Sequence, residues 1–284
     1  MRKHLWVVFL TLCLCQWAWA QSDESSFQED SLAWKTYIRD GLKAYHQGSY
    51  NKAEALFEAA VRHAERYRQD EAALATSLDH LGGVYLAKKK YPEAESMFRR
   101  ALTIRQRELE EEHPDIAVSL HNLGNVCYAR QKYADAELFY QRSLDLTERA
   151  LGPEDPRVGS ILHSMALLAW SHDRYAKAER LFSRALDVYK SALGEEHPSI
   201  AAVQTDLGAF YTEQRNYAEA EALFKSSLST REKYLDPDHP ALADTLKKYA
   251  ELQRKRGKAR QARKMELRAN RILAQHSRWN RMLY

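Results

Sequence analysis

Residues 111–146 read EEHPDIAVSLHNLGNVCYARQKYADAELFYQRSLDL. Leu120, Leu123, Gly124 and Cys127 recur at steps of three and four, the spacing of one face of a helix. A second face follows a short turn and carries Ala136, Tyr140 and Ser143. Proline has no amide N–H and a fixed φ, so Pro114 suits the first turn of a helix, with His113 in the capping position. The stretch therefore reads as two antiparallel helices joined by a short turn that ends at Tyr133.

The same pattern returns along most of the chain. Pro114, Pro156, Pro198 and Pro240 stand 42 residues apart, as do Tyr91, Tyr133, Tyr175 and Tyr217, while Tyr50 precedes Tyr91 by 41. An Ala-Glu pair follows each tyrosine, at Ala53-Glu54, Ala94-Glu95, Ala136-Glu137, Ala178-Glu179 and Ala220-Glu221. Four residues past each alanine comes an aromatic (Phe57, Phe98, Tyr140, Phe182, Phe224), and three further on a small residue. Large and small side chains alternate on that face, as close interlocking of helices requires. A fixed period of this length marks a stacked array. Its ends are atypical. The first unit lacks the proline, so Asp70 or Glu71 is expected to cap its successor. The last unit keeps Pro240 but has Glu266 where the packing aromatic should be, which predicts a solvated capping face.

Composition supports an all-α chain. Of 284 residues, 45% are hydrophobic, enough for a large core, and the ten glycines and seven prolines are few. Residues 1–20 stand apart: Arg2, Lys3 and His4 precede the apolar run Leu5–Cys15, and Ala18-Trp19-Ala20 supplies small residues for cleavage. This predicts a signal peptide and export, to a bacterial periplasm or alternatively outside the cell. The apolar run reaches only about half of the roughly 20 residues a membrane span needs. Cleavage leaves Cys127 as the single thiol, so no intramolecular disulfide is expected. Segment 21–33 is acidic and read as flexible. Charge is uneven: residues 247–284 carry 13 Lys or Arg against two acids, whereas residues 21–246 are net acidic.

The stretches quoted above, with GEEHPSIAAVQTDLGAFY and NYAEAEALFKSSL in a later copy, resemble the tetratricopeptide repeat, in the 42-residue form found in kinesin light chains and related bacterial proteins. The resemblance covers about residues 34–270. It implies a right-handed superhelical solenoid of six helix-turn-helix units, about twelve helices in all, near 34–67, 70–108, 114–150, 156–192, 198–234 and 240–270, with 271–284 as a basic tail. It further implies a concave groove that receives an extended peptide or a partner helix. By register the groove comprises Asp79, His121, Asn122, Asn125, Tyr128, His163, Leu167, Trp170, Thr205, Thr212, Lys247 and Arg254, together with Gly83, Leu86, Ala209 and Glu251. Tyr128 and Trp170 occupy successive copies of one position and are expected to meet the ligand, because other residues fill the packing positions. Acidic Asp79 and Asp206 and basic Lys247, Lys248 and Arg254 predict a groove polarised along its length.

No catalytic pattern emerges. The chain has no Gly-rich phosphate loop, HExxH, CxxC or GxSxG, so no enzymatic activity and no cofactor are expected. His113, His197 and His239 each follow an acid but lie at least a repeat apart, so no metal site is expected either. Cys127 falls on a packing face and reads as a buried thiol. Arg254, Lys255, Arg256, Lys258, Arg260, Arg263 and Lys264 form a basic cluster on the last pair of helices. Such a cluster suits peripheral contact with anionic membrane or a partner complex. Nucleic acid is not expected, because an exported protein rarely meets it.

Overall fold

The computed structural model describes residues 32–67 and 71–282, and among these it holds twelve helices and no strand. They are α1 (32–46), α2 (Tyr50–Tyr67), α3 (Glu71–Ala87), α4 (Tyr91–Glu108), α5 (Pro114–Ala129), α6 (Tyr133–Leu151), α7 (Pro156–Trp170), α8 (Tyr175–Leu193), α9 (Pro198–Glu213), α10 (Tyr217–Tyr234), α11 (Pro240–Lys255) and α12 (Ala259–Met282). The expected signal peptide at 1–20, the acidic segment up to residue 31 and the capping candidate Asp70 lie outside the described residues.

Each repeated proline opens a first helix. The residue before it caps that helix: Nδ1 of His113, His197 and His239 accepts the N–H two residues on at 3.2, 3.2 and 3.1 Å, and Asp155 does the same with its carboxylate at 2.9 Å. An imidazole can do this only while Nδ1 keeps its lone pair, so these three histidines are in the Nε2–H tautomer or rotated out of the cap.

The turn inside every unit has one conformation. Gly48, Lys89, Gln131, Asp173, Arg215 and Gly257 all have positive φ, between 55° and 74°. The amide of the following residue bonds back to the carbonyl five before it, as in Lys132 to Cys127 at 2.8 Å, and the left-handed residue's own amide bonds to the carbonyl three before it. This is a Schellman closure of the first helix, and it aims the second helix back along the first. Four of these six positions hold side chains that pay a steric cost there.

Packing within a unit follows the large–small alternation. Phe57, Phe98, Phe182, Phe224 and Tyr140 are all but fully buried. Gly41, Gly82, Gly124 and Gly208 face the aromatics of their own units, and a Cβ on Gly124 would stand 2.5 Å from the Tyr140 ring. Each such ring stabilises the stack by about 1.5–3 kcal/mol relative to exposure. Cys127 is buried in the same core, and burial raises its thiol pKa.

Neighbouring helices pack in sequence from α2 to α12. The backbones of the first helices α3, α5, α7, α9 and α11 also approach one another in turn, whereas among the described residues those of the second helices stay apart and are bridged by long side chains, as Lys177 to Glu137 at 2.9 Å and Arg268 to Glu232 at 2.6 Å. The stack therefore curves with its first helices on the inner side. The curvature is tight enough to bring the two ends together. Nε2 of His239 donates to the carbonyl of His46 at 2.5 Å, and His276 Nε2 meets the Gly48 carbonyl at 3.2 Å. Thus the turn of the first unit rests on the last unit, 193 and 228 residues away in sequence.

Candidate binding groove

The inner surface is built from the exposed sides of α3, α5, α7, α9 and α11. Its centre is a ladder of side chains that bond from one unit to the next. His121 Nε2 lies 2.9 Å from Ser164 Oγ, which in turn donates to Asn125 Oδ1 at 3.2 Å. Tyr140 also donates its hydroxyl to Asn125 Oδ1, at 2.9 Å. His163 Nε2 meets Asp206 at 2.9 Å, and Lys248 Nζ reaches the other oxygen of that carboxylate at 2.6 Å. Trp170 Nε1 donates to Glu213 at 2.8 Å.

Three of these contacts, His121 to Ser164, His163 to Asp206 and Trp170 to Glu213, join residues 43 apart rather than 42. Successive units are rotated, so a side chain meets its neighbour one residue beyond the equivalent position. Reading in register by 42 therefore missed Ser164 and Glu213, although both stand one residue past residues singled out from the sequence.

Several expected groove residues are placed otherwise. Thr205 is 1% exposed and bonds Ser227 and Thr245 in the interface between helices, and Thr212 is 3% exposed with its hydroxyl on the Gly208 carbonyl. Both are corrected from groove to core. A threonine hydroxyl can be satisfied by the backbone carbonyl four residues before it, so it can be buried on a helix face that a charged residue would keep in water. Asp79 is also buried, ion-paired with Arg105 of α4 and accepting from Asn122 at 3.4 Å. Arg105 also bonds Ser119 at 2.5 Å, so this cluster ties three helices together.

His121, Asn122, Asn125, Tyr128, His163, Leu167 and Trp170 are half-buried, and Lys247 and Arg254 are exposed. Tyr128 and Trp170 both pack at their bases. Trp170 meets Phe182 and Phe210 edge-on at 6.5 and 5.9 Å, and Tyr128 lies 5.9 Å from Tyr133. The expectation that other residues fill the packing positions is thus corrected: one edge of each ring joins the core. Gly83 marks open space on this face, since a Cβ there meets nothing within 4 Å.

The electrostatics are more balanced than the charge sequence suggested. Burial draws the Asp206 carboxyl upward, but the His163 bond and the Lys248 ammonium outweigh it and hold its pKa at about 2. Burial, with help from nearby His163, depresses His121 to about 4; burial, with Arg105 and His46, does the same to His80. Both imidazoles are neutral at pH 7. Arg254 is paired with Glu266, so the expected polarity of the groove reduces to the basic residues of α11 at one end and an amide- and imidazole-lined floor over α5 and α7. Among the described residues, no three His, Cys, Asp or Glu side chains cluster as metal ligands would.

The basic cluster divides. Arg254 pairs with Glu266, Lys255 with Glu251 at 3.4 Å and Arg256 with Glu221. Lys258, Arg260, Arg263 and Lys264 are exposed and have no carboxylate partner among the described residues.

Comparison with known proteins agrees with this architecture. A family model described as tetratricopeptide repeat matches residues 42–107, 73–149, 115–191, 157–211 and 199–275. BtubC (BKLC) from P. vanneervenii is 22% identical with a TM-score of 0.63, covering 80% of this chain and 92% of its own. A putative kinesin light chain of Podosopora anserina with nearly identical TPR-like repeats is 21% identical with a TM-score of 0.56, covering 74% and 99%. A Rap protein complexed with competence and sporulation factor is 15% identical with a TM-score of 0.66, covering 87% and 76%. Likenesses at these identities are of fold. No curated protein matches the sequence.

Proposed function

The chain belongs to the tetratricopeptide repeat family, and on that premise we propose that it is an exported, non-catalytic binding scaffold whose inner face takes an extended peptide or a partner helix. One observation carries the reading: half-exposed Asn122, Asn125, Tyr128, Leu167 and Trp170 line neighbouring first helices on the inner side of the curve. Amides suit the backbone groups of an extended chain, and the aromatic and leucine edges suit its side chains. Two successive units present these contacts in series, so affinity would accumulate from modest terms. A Rap protein of like fold complexed with competence and sporulation factor supports a binding role. Export rests on the composition of residues 1–20.

Peptides selected from a display library on the chain give a direct test. Gly83→Trp places a large ring in open space, and Tyr128→Ala removes an aromatic edge. Each should weaken the selected peptides by about tenfold or more while circular dichroism is unchanged. Peptides that bind both variants as tightly as the parent would place recognition elsewhere.

A further inference from the structure

The last helix departs from a rule that the other second helices keep. At five positions counted from the glutamate of each Ala-Glu pair (three before it, itself, and one, four and eight after it), α2, α4, α6, α8 and α10 hold at least one carboxylate and no more than one cation: Glu54 and Glu58 with Arg62, Glu95 with Arg99, Glu137 with Asp145, Glu179 and Asp187 with Arg180, and Glu221 with Lys225. The glutamate of each Ala-Glu pair is then matched by a cation or hydroxyl, as Glu137 is by Arg174 and Lys177 at 2.9 Å. In α12 the same positions hold Arg260, Arg263, Lys264, Leu267 and Arg271, and the glutamate has become Arg263.

These five residues recur at steps of three and four on one narrow side of the helix. Ala262, Met265, Ala269, Ile272 and Leu273 lie on the opposite side, where they pack or are buried in the last unit. Leu267 is 59% exposed in the middle of the cations. Arg260 also stands in the first turn of α12, at the positive end of its dipole, where a cation is disfavoured and no carboxylate offsets it. A face that served only to cap and solvate the stack would use glutamate in place of Arg263, as the other second helices do.

We propose that this outer face of α12 docks the array on an anionic phospholipid surface, with Arg260, Arg263, Lys264 and Arg271 on headgroup phosphates and Leu267 entering the interface. The face is about 16 Å long, and its four cations have no carboxylate partner among the described residues. Its charge is complementary to acidic headgroups, and an exposed leucine flanked by cations suits the boundary between headgroup and acyl chain. A phosphate-lined polyanion such as duplex DNA offers no apolar layer for Leu267. Among the described residues no helix is long and apolar enough to cross a membrane, so the contact is peripheral.

Co-sedimentation of the full chain with vesicles tests this, comparing phosphatidylcholine alone with phosphatidylcholine mixed with phosphatidylglycerol. Arg2 and Lys3 before the apolar run Leu5–Cys15 also favour anionic vesicles, so the readout is the change in that anionic excess between the parent chain and its α12 variants. Arg260→Gln/Arg263→Gln/Lys264→Gln should lower that excess by about a hundredfold, roughly fivefold for each charge. Leu267→Gln should lower it by several-fold while leaving the unfolding midpoint in place, because the side chain is exposed. For the parent chain the excess should also fall steeply with salt, a readout that needs no variant. Equal partition onto the two vesicles, an excess that the triple variant leaves undiminished, or displacement from the anionic vesicles by stoichiometric duplex DNA would overturn the assignment.

Discussion

A single hydrogen in place of a methyl group decides how close the two helices of a unit can come. At Gly124 the α5 backbone lies against the Tyr140 ring, and a Cβ would stand 2.5 Å from it, well inside contact distance. The ring has little room to retreat, since Tyr140 is 1% exposed and its hydroxyl is held by Asn125. Gly124→Ala should therefore destabilise the fold by about 1–3 kcal/mol, through overpacking that outweighs alanine's better helix propensity. Chemical denaturation measures this, and an unchanged or raised midpoint would mean that the ring can move aside. The fourth unit holds Ala166 at this position opposite Phe182, so the helices there must be spaced to admit a methyl group.

At the scale of the element, the turn between the helices of a unit is what makes the array regular. Six turns share a left-handed residue and the same pair of backbone bonds, yet only the first and last have glycine there. Gln131 is exposed at φ 60°, so its side chain contributes little while the backbone carries the cost of that conformation. Gln131→Gly should stabilise the chain by roughly 0.5–1 kcal/mol, the relief of strain exceeding the extra freedom of glycine when unfolded. Thermal unfolding would register this as a small rise in Tm. A fall would show that the side chain of Gln131 holds something in place. This turn was legible in the sequence only as a short break before each tyrosine. Lys, Gln, Asp and Arg at the left-handed position carry no common signal, and the shared backbone bonds that impose the conformation are tertiary in consequence.

The whole molecule depends on neutral imidazoles. His80 and His121 have their pKa depressed to about 4 by burial, well under the ordinary histidine value of about 6.5. His239 is also lowered, by burial, with Arg231 and His276 adding to the effect while the bond to the His46 carbonyl and nearby Asp236 oppose it. In each case the unfolded chain takes up protons that the fold refuses. Stability is thus fully present above about pH 6.5 and is lost as pH falls towards 4, by up to a few kcal/mol in sum. Protonated His239 would lose the Nδ1 lone pair that caps α11, whereas its Nε2–H bond to the His46 carbonyl is kept. Hydrogen exchange in the first turn of α11, at the Ala241 amide, should therefore speed up on mild acidification before global unfolding sets in. Exchange there that stays constant down to about pH 5 would show that the start of α11 holds without the His239 cap.

Much of this architecture could be read from the chain alone, because each repeat is a local object. Proline at a helix start, the three- and four-residue spacing of Ala136, Tyr140 and Ser143, and Cys127 on a packing face depend on neighbours within one unit or the next. The groove was less legible for the opposite reason. Whether Thr205 is core while Lys247 is exposed, and whether Trp170 lies free or half-packed on Phe210, depends on the rotation between units. That rotation lets Asp206 meet His163, 43 residues before it, and Lys248, 42 residues after it. The sequence by itself thus determined the units, their phase and the odd charge of the final helix. Only the tertiary structure decided which charges are spent on one another and that the stack closes on itself, since both follow from small angles summed over six units.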